Sequence, residues 1–394
     1  MDNYFNENFY RSFPFIKGWQ NVKCRKNNIK SGQPLVIKKA KGVYVWDNHN
    51  RKYVDFLMGW GTMAYGHNDD KINSIILKNL ENASIINGHT DIAIKVGRLF
   101  NKFYNEENFK TGFFVNGSDA VSSAVRISRN VTGKKKVLFT GYHGWHDWAQ
   151  PHCGGILSEC TKMSCDVRGY AGAKIIQSVE ENHTDLACVI VEIPLRIPDA
   201  NDVIIKLRKL ADERNFFLVF DEIKSGIRMG LTPGKKLYNI CPDMATYGKA
   251  FAGGMPFSAL IVKESISKRI VNELCLSATY WGHPFALYIV EHMIENVDKI
   301  SNTIEDNGRY FVRKFNEVFR KHGTSIALDN IYSMPRIKIN LNSDVVDRFY
   351  SASFDGGIYM RRFPHCMFIS TGHDRIVVDS IMSVFDGIAR KMKC

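Results

Sequence analysis

The sequence predicts an α/β fold: a mostly parallel sheet covered by helices on both faces, with a smaller α+β domain built from the two ends of the chain. Three observations predict it. Short apolar runs, FFV (113–115), VLF (137–139), ACVIV (187–191), FLVF (217–220) and SALIV (258–262), recur through the middle of the 394-residue chain as buried strands do. Helical patterns lie between several of them, for example DVIIKLRKLADERN at 202–215, and that alternation is the signature of helices packed over a parallel sheet. After Pro284 the texture changes to a long helix, the stretch RYFVRKFNEVFRKHG, the strand-like runs MPRIKIN and MFIST, and a closing helix. The expected division is an N-terminal segment 1–60 that joins the small domain, a large domain 61–289, and a C-terminal small domain 290–394. No internal repeat or low-complexity linker interrupts it.

Bulk properties narrow the class. A hydrophobic content of 45% in a chain this long can bury a large core. No apolar run reaches the length of a membrane span. The opening MDNYFNENFYRSF lacks the basic and apolar regions of a secretion signal. Nine irregularly spaced cysteines suit a reducing cytoplasm better than a disulfide framework. The net charge of +13 would draw phosphorylated or nucleotide-linked small molecules. Its basic residues come in groups such as Lys134–Lys136 and Lys235–Lys236 without interleaved aromatics, so they read as a solvated surface, and no nucleic-acid partner is expected.

The chemistry concentrates in two stretches. Asp221 closes the apolar run in FFLVFDEIKSGIR, and Lys249 follows 28 positions later in TYGKAFAGGMPFSALIV. A lysine framed by small residues can form a Schiff base with an aldehyde, and an aspartate ending a strand can hold a buried pyridinium nitrogen. Pyridoxal phosphate (PLP) requires both groups of its protein. Each residue alone also fits a surface lysine or a simple strand end.

Three further segments fall in the order that such a site needs. In FFVNGSDAVSSAVRISR (113–129) a strand ends at Asn116, and Gly117 and Ser118 open a helix whose start can hold a phosphate. An ordinary strand–turn–helix with Ser118 as N-cap reads equally well. In LFTGYHGWHDW (138–148) an aromatic after a strand can stack on a flat heterocycle, and Tyr142 is the candidate. His143, His146, His152 and Cys153 match no common zinc spacing, so no metal is expected. In SATYWGHPFAL (277–287) Thr279 precedes a turn closed by Pro284.

Together these segments resemble the class III aminotransferases, fold type I PLP enzymes, and within them the glutamate-1-semialdehyde aminomutase-like branch. The likeness covers roughly residues 33–290 well and the remainder more loosely; KGVYVWDNHNRKYVDF and GWGTMAYGHND look like the family's opening hairpin and first helix. The resemblance implies that Lys249 holds PLP and shuttles protons, Asp221 pairs with the ring nitrogen, and Tyr142 and Ile223 cover the two ring faces. Gly117 and Ser118 would bind the phosphate, Glu192 in VIVEIP would lie near the ring, and Thr279 would reach the phosphate of a partner subunit. The last role implies a homodimer with a shared active site. Trp60 falls where the aminomutase branch has a tryptophan beside the substrate, and His365, or Pro364, stands where that branch has an acidic residue.

Other departures leave the cofactor residues themselves in place. IPLRIPDA replaces a Gly-rich loop after Glu192, SGQPLVIKKAKG lacks the branch's carboxylate-binding arginine, and Trp281 and His283 replace small and amide residues. The expected activity is therefore transfer of an amino group, through a Lys249 Schiff base, from an amino donor to a small phosphorylated or otherwise anionic carbonyl acceptor. An intramolecular aminomutase is the alternative, and a non-catalytic PLP-fold binding protein a distant one.

Overall fold

The computed structural model describes residues 35–392 apart from 83, 85–87, 105–107, 277, 339–342 and 362–364. Residues 1–34 and Pro364 lie outside the described residues. The chain forms two compact units, one made of the described residues up to Asp69 with those from Asn302 onward, the other of Asp70–Ser301. Both boundaries fall somewhat further along the chain than 60/61 and 289/290.

The first unit begins with three antiparallel strands, β1 (Ile37–Lys41), β2 (Tyr44–Asp47) and β3 (Lys52–Asp55). Asp47 makes the turn between the last two. Its Oδ1 accepts the N–H groups of His49 and Arg51, both at 2.9 Å, while Oδ2 accepts from Arg51 Nε at 2.7 Å and from the Tyr53 hydroxyl at 3.1 Å. Asn50, at φ 61°, supplies the left-handed residue that the turn needs.

The second unit holds a seven-stranded sheet of β4 (Phe109–Phe114), β5 (Lys136–Phe139), β6 (Ser164–Asp166), β7 (Leu186–Glu192), β8 (Phe217–Asp221), β9 (Met244–Gly248) and β10 (Ser258–Lys263), in the order β4-β10-β9-β8-β7-β5-β6. Only β10 runs against its neighbours. The predicted apolar runs form β4, β5, β7, β8 and β10. Strand β9 was not among them: MATYG is short and carries small and polar residues, yet all five are buried. Leu138, Val189, Ile190, Val219, Ala245 and Ile261 are fully buried at the centre, each large aliphatic side chain contributing about 1.5–3 kcal/mol on transfer from water.

Helices of this unit are α1 (Asp70–Lys78), α2 (Asp91–Phe100), α3 (Gly117–Thr132), α4 (Gly172–Asn182), α5 (Ala200–Arg214), α6 (Pro233–Tyr238) and α7 (Pro284–Glu295). Helix α5 realises the 202–215 pattern and ends where Asn215 turns left-handed and its N–H donates to Ala211 O.

The described C-terminal part starts within α8 (Val297–Lys321) and continues through the two-residue strands β11 (Ala327–Leu328) and β12 (Ile337–Lys338), α9 (Ser343–Asp355), β13 (Ile358–Tyr359) and α10 (Arg375–Lys391). Strand β13 pairs parallel with β3. Phe311, Phe315 and Phe319 recur every fourth position on α8, and Phe315 meets Phe385 of α10 at 4.9 Å between ring centroids. Two sequence expectations are corrected here. Of MPRIKIN, the described residues 334–338 yield only β12, and MFIST forms no strand: Phe368 N–H donates to Phe56 O, while Met367 N–H donates to Pro335 O and Ile369 N–H to Ser333 O. Met367 and Ile369 thus face Pro335 and Ser333 as an antiparallel pair would, but Pro335 has no N–H with which to return a ladder bond.

Candidate active site

The parallel strands of the second unit deliver their candidate residues to one sheet edge, the C-terminal edge where open α/β sheets place ligands. Glu192 and Asp221 end β7 and β8 in direct register, and Asp221 is in turn paired with Thr246 of β9. Lys249 follows β9 immediately and is half-buried, with φ +50°. A lysine in the left-handed region stores backbone strain, and such strain collects at functional sites. The loop after β5 carries Tyr142 and His143, and β4 leads into α3 at Gly117.

Asp221 is 4% exposed and wholly engaged on its inner side. Its Oδ2 lies 2.6 Å from His143 Nδ1; Oδ1 accepts from the Ile223 N–H at 3.1 Å and the Thr246 hydroxyl at 3.2 Å. The Gly141 N–H donates to His143 Nε2 at 3.2 Å. That nitrogen must therefore carry the lone pair, which leaves Nδ1–H to donate to Asp221. A carboxylate can accept about four bonds, so Asp221 retains capacity for one further donor such as a ring N–H.

Glu192 accepts the Tyr142 N–H on Oε2 at 3.0 Å and pairs through Oε1 with Lys224 Nζ. Burial alone would raise its pKa, but the Lys224 charge and hydrogen bond, aided by the Tyr142 amide, bring it down to about 2. The Tyr142 side chain is 49% exposed. Ile223 packs beside Gly117, where a Cβ would stand 2.7 Å from Ile223 Cδ1; only glycine lets the α3 start approach this closely.

The cap of α3 corrects the alternative reading of Ser118. Asn116 is the N-cap, its side chain accepting the Asp119 N–H at 3.2 Å, while Ser118 is buried and its Oγ accepts the Trp145 N–H. Thr279 is exposed in the turn before α7. In the first unit, Trp60 lies in a left-handed turn at φ 62°, with the Arg361 guanidinium 4.2 Å from its ring centroid. His365 is exposed.

Sequence reasoning missed three side chains of this constellation. His143 was read beside His146, His152 and Cys153 as a metal possibility. These residues do not converge: His146 bonds Ser122 Oγ at 2.7 Å, His152 is exposed, and among the described residues no group of three or more His, Cys, Asp or Glu could hold a metal. Lys224, three positions past Asp221 in the same stretch, was given no role. Glu222 was passed over as the companion of Asp221, yet it is fully buried, accepts the Gly234 N–H at 2.6 Å, and lies next to Tyr104 and Tyr247. Burial pushes its carboxyl up to about 8. The buried hydroxyls of both tyrosines and Glu222 Oε2 have no partner in hydrogen-bond geometry. An acidic residue directly after a strand-ending aspartate was the available signal, because side chains alternate along a strand and the second must turn inward.

The profile of one family, described as aminotransferase class-III, matches residues 27–327. The chain belongs to the class III aminotransferases. It is similar to 3-aminobutyryl-CoA aminotransferase of Cloacimonas acidaminovorans, with 25% identity over 386 residues, 93% of this chain and 92% of the relative. It is also similar to glutamate-1-semialdehyde 2,1-aminomutase 2 of Lachnoclostridium phytofermentans, with 26% identity over 422 residues, 96% and 97% of the two chains. Among solved structures, the PLP internal aldimine form of FumI from Sphingopyxis sp. MTA144 superposes with a TM-score of 0.86 at 21% identity, covering 98% of this chain and 94% of that one. The β-phenylalanine aminotransferase from Variovorax paradoxus gives 0.76 at 17% identity over 97% and 95%. At these identities the structural likeness speaks for the fold, which is that of fold type I. This class III aminotransferase is thus a PLP-dependent enzyme that moves an amino group from a small donor to a carbonyl acceptor. Among its described residues no helix is long and apolar enough to cross a membrane.

Proposed function

We propose that Lys249 carries the cofactor and is the general acid/base of both half-reactions, with Asp221 as the partner of the ring nitrogen. The observation that carries this reading is the convergence, at one sheet edge, of a strained lysine and a buried aspartate already oriented by His143. Bound PLP supplies an aldehyde carbon for the donor nitrogen and a cationic ring that draws electrons from the neighbouring carbon. The chain's own residues do the rest. Asp221, held by Nδ1–H of His143, keeps the proton on the ring nitrogen. The Lys249 amine takes a proton from the donor carbon and returns one to the cofactor carbon. Tyr142 covers one ring face and Ile223 the other. The amides of Gly117 and Ser118, at the positive end of α3, hold the phosphate. Thr279, exposed, serves the phosphate of a second copy, so the working enzyme is a homodimer. Trp60 and His365 contact substrate.

The acceptor is a small anionic carbonyl compound. The excess of 53 basic over 40 acidic residues supports this, as does a relative named for a coenzyme A-linked amino acid. A cytoplasmic location follows from the cysteine usage. The relatives named as aminomutases, together with Trp60, favour intramolecular amino transfer as the second reading.

Absorption spectroscopy of the purified enzyme tests the proposal. A band near ~410–430 nm should be fixed by borohydride, be absent in Lys249→Ala, and shift to about 330 nm with a competent donor. A band that survives in Lys249→Ala would sink the assignment. Release of an oxo product from the donor marks a transaminase; turnover of a single substrate without one marks the aminomutase.

A further inference from the structure

Lys224 lies three positions past Asp221, in the segment that leaves β8, and its ammonium pairs with Glu192 at the end of β7. Glu192 and Asp221 are register partners on adjacent parallel strands, so two carboxylates leave the sheet edge side by side. The second Glu192 oxygen accepts the Tyr142 N–H at 3.0 Å, and the Glu192 N–H donates to Thr140 Oγ1 at 3.3 Å. Gly141 lies so close that a Cβ there would stand 2.4 Å from Glu192 Cβ. One residue beyond Tyr142, His143 holds Asp221 at 2.6 Å, and Asp221 accepts the N–H of Ile223, the residue before Lys224. The bonds close a circuit: Lys224, Glu192, the Tyr142 backbone, His143, Asp221, and back along the chain to Lys224.

We infer that Lys224 is a positioning residue: by pairing with Glu192 it keeps that carboxylate ionised beside Asp221, and so holds the Tyr142–His143 loop in the geometry the cofactor ring requires. The inference rests on the cofactor reading above. Its physical basis is that two neighbouring carboxylates in a partly dry site do not both ionise without a cation. An ionised Glu192 is also the stronger acceptor for the Tyr142 N–H. The charged and titratable groups that face Glu192 are Lys224, His143 and Asp221. Burial pushes Glu192 up, and Lys224 is the chief group opposing it. Without Lys224, burial wins and Glu192 titrates in the working range.

The test is a pH titration of the cofactor absorption and circular dichroism bands of the holoenzyme from about pH 5 to 9, with kcat/KM measured alongside. Lys224→Met should show an inflection that the wild type lacks, with loss of at least ~10-fold in kcat/KM on its acid side. Lys224→Arg should remove the inflection, and so should adding Glu192→Gln to Lys224→Met. Superimposable wild-type and Lys224→Met profiles would overturn the inference, as would an inflection that persists in the double variant. Lys224→Gln, which keeps a hydrogen-bond donor, replaces the methionine variant if that fails to fold. A wild type without any PLP band defeats the cofactor reading separately. The pair is then judged on apoprotein melting: the gap between wild type and Lys224→Met should be widest near neutral pH and close as pH falls from the ordinary glutamate range toward about 2, where Glu192 takes up its proton. A gap that ignores pH overturns the pairing.

Discussion

Asp221 ends a strand whose five residues are all buried and which is flanked by strands on both sides, whereas Trp60 sits in a left-handed turn of a unit whose later strands are two residues long. The first environment leaves a side chain one place to be. Ladder bonds set the backbone, His143, Ile223 and Thr246 set the carboxylate, and a misplaced charge would be buried without a partner. The second environment is a short turn closed by its own bonds, Gly61 N–H to Leu57 O and Met63 N–H to Met58 O, with Trp60 stacked on the Arg361 guanidinium. The difference teaches where each kind of chemistry can be stored. On the roles proposed above, the group that pairs with the cofactor ring sits at the end of a rigid strand, and the group that reads the substrate sits on a turn, where a residue can change without disturbing the sheet.

The contrast can be broken first at Asp221. Asp221→Asn keeps size and strand but removes the anion, so kcat/KM should fall by ~10²–10³-fold with the melting temperature little changed; steady-state kinetics and a thermal melt decide it. If the variant instead unfolds, Asp221 is a support of the sheet edge rather than a chemical group.

Glu222 sharpens the comparison at intermediate scale. Its carboxyl is raised to about 8 in the fold, so it is neutral and harmless in acid. Stability is lost as pH rises from the ordinary glutamate range through about 8, because the unfolded chain gives up that proton more readily. Glu222→Gln should therefore melt higher than wild type at alkaline pH, by something on the order of 1–3 kcal/mol, and show little gain in acid. Melts across that range would refute this if the difference were constant.

The smallest effect is expected at the turn. Trp60→Ala should leave the cofactor band intact and raise KM for the carbonyl substrate, by an amount consistent with the loss of a ~0.5–2 kcal/mol contact. Bleaching of the cofactor band by this change would erase the distinction between the two regions.

Much of the candidate site was legible because its residues announce themselves locally. Asp221 ends an apolar run, Lys249 stands among small residues, and Gly117 opens a helical pattern. The groups that orient them were not. His143 and Asp221 are 78 positions apart in the chain, and only pairing of β5, β7 and β8 brings them within a hydrogen bond. Strand β9 escaped because its sequence, MATYG, is apolar by burial on both faces rather than by composition. MFIST misled in the opposite direction, since an apolar run reads the same whether or not the segment facing it, here with Pro335, can return the ladder bonds.

The sequence by itself determined the alternation of strands and helices, the α/β class, the order of the candidate site residues and the family. These depend on periodicity and on residue types at strand ends, which are local properties. Tertiary structure alone decided which residues close the circuit around Asp221: that His143 presents Nδ1–H to it, that Lys224 neutralises Glu192, and that Glu222 faces inward beside two tyrosines. Strand register and burial set those contacts, and both arise from packing between segments distant in the chain, which no window of residues contains.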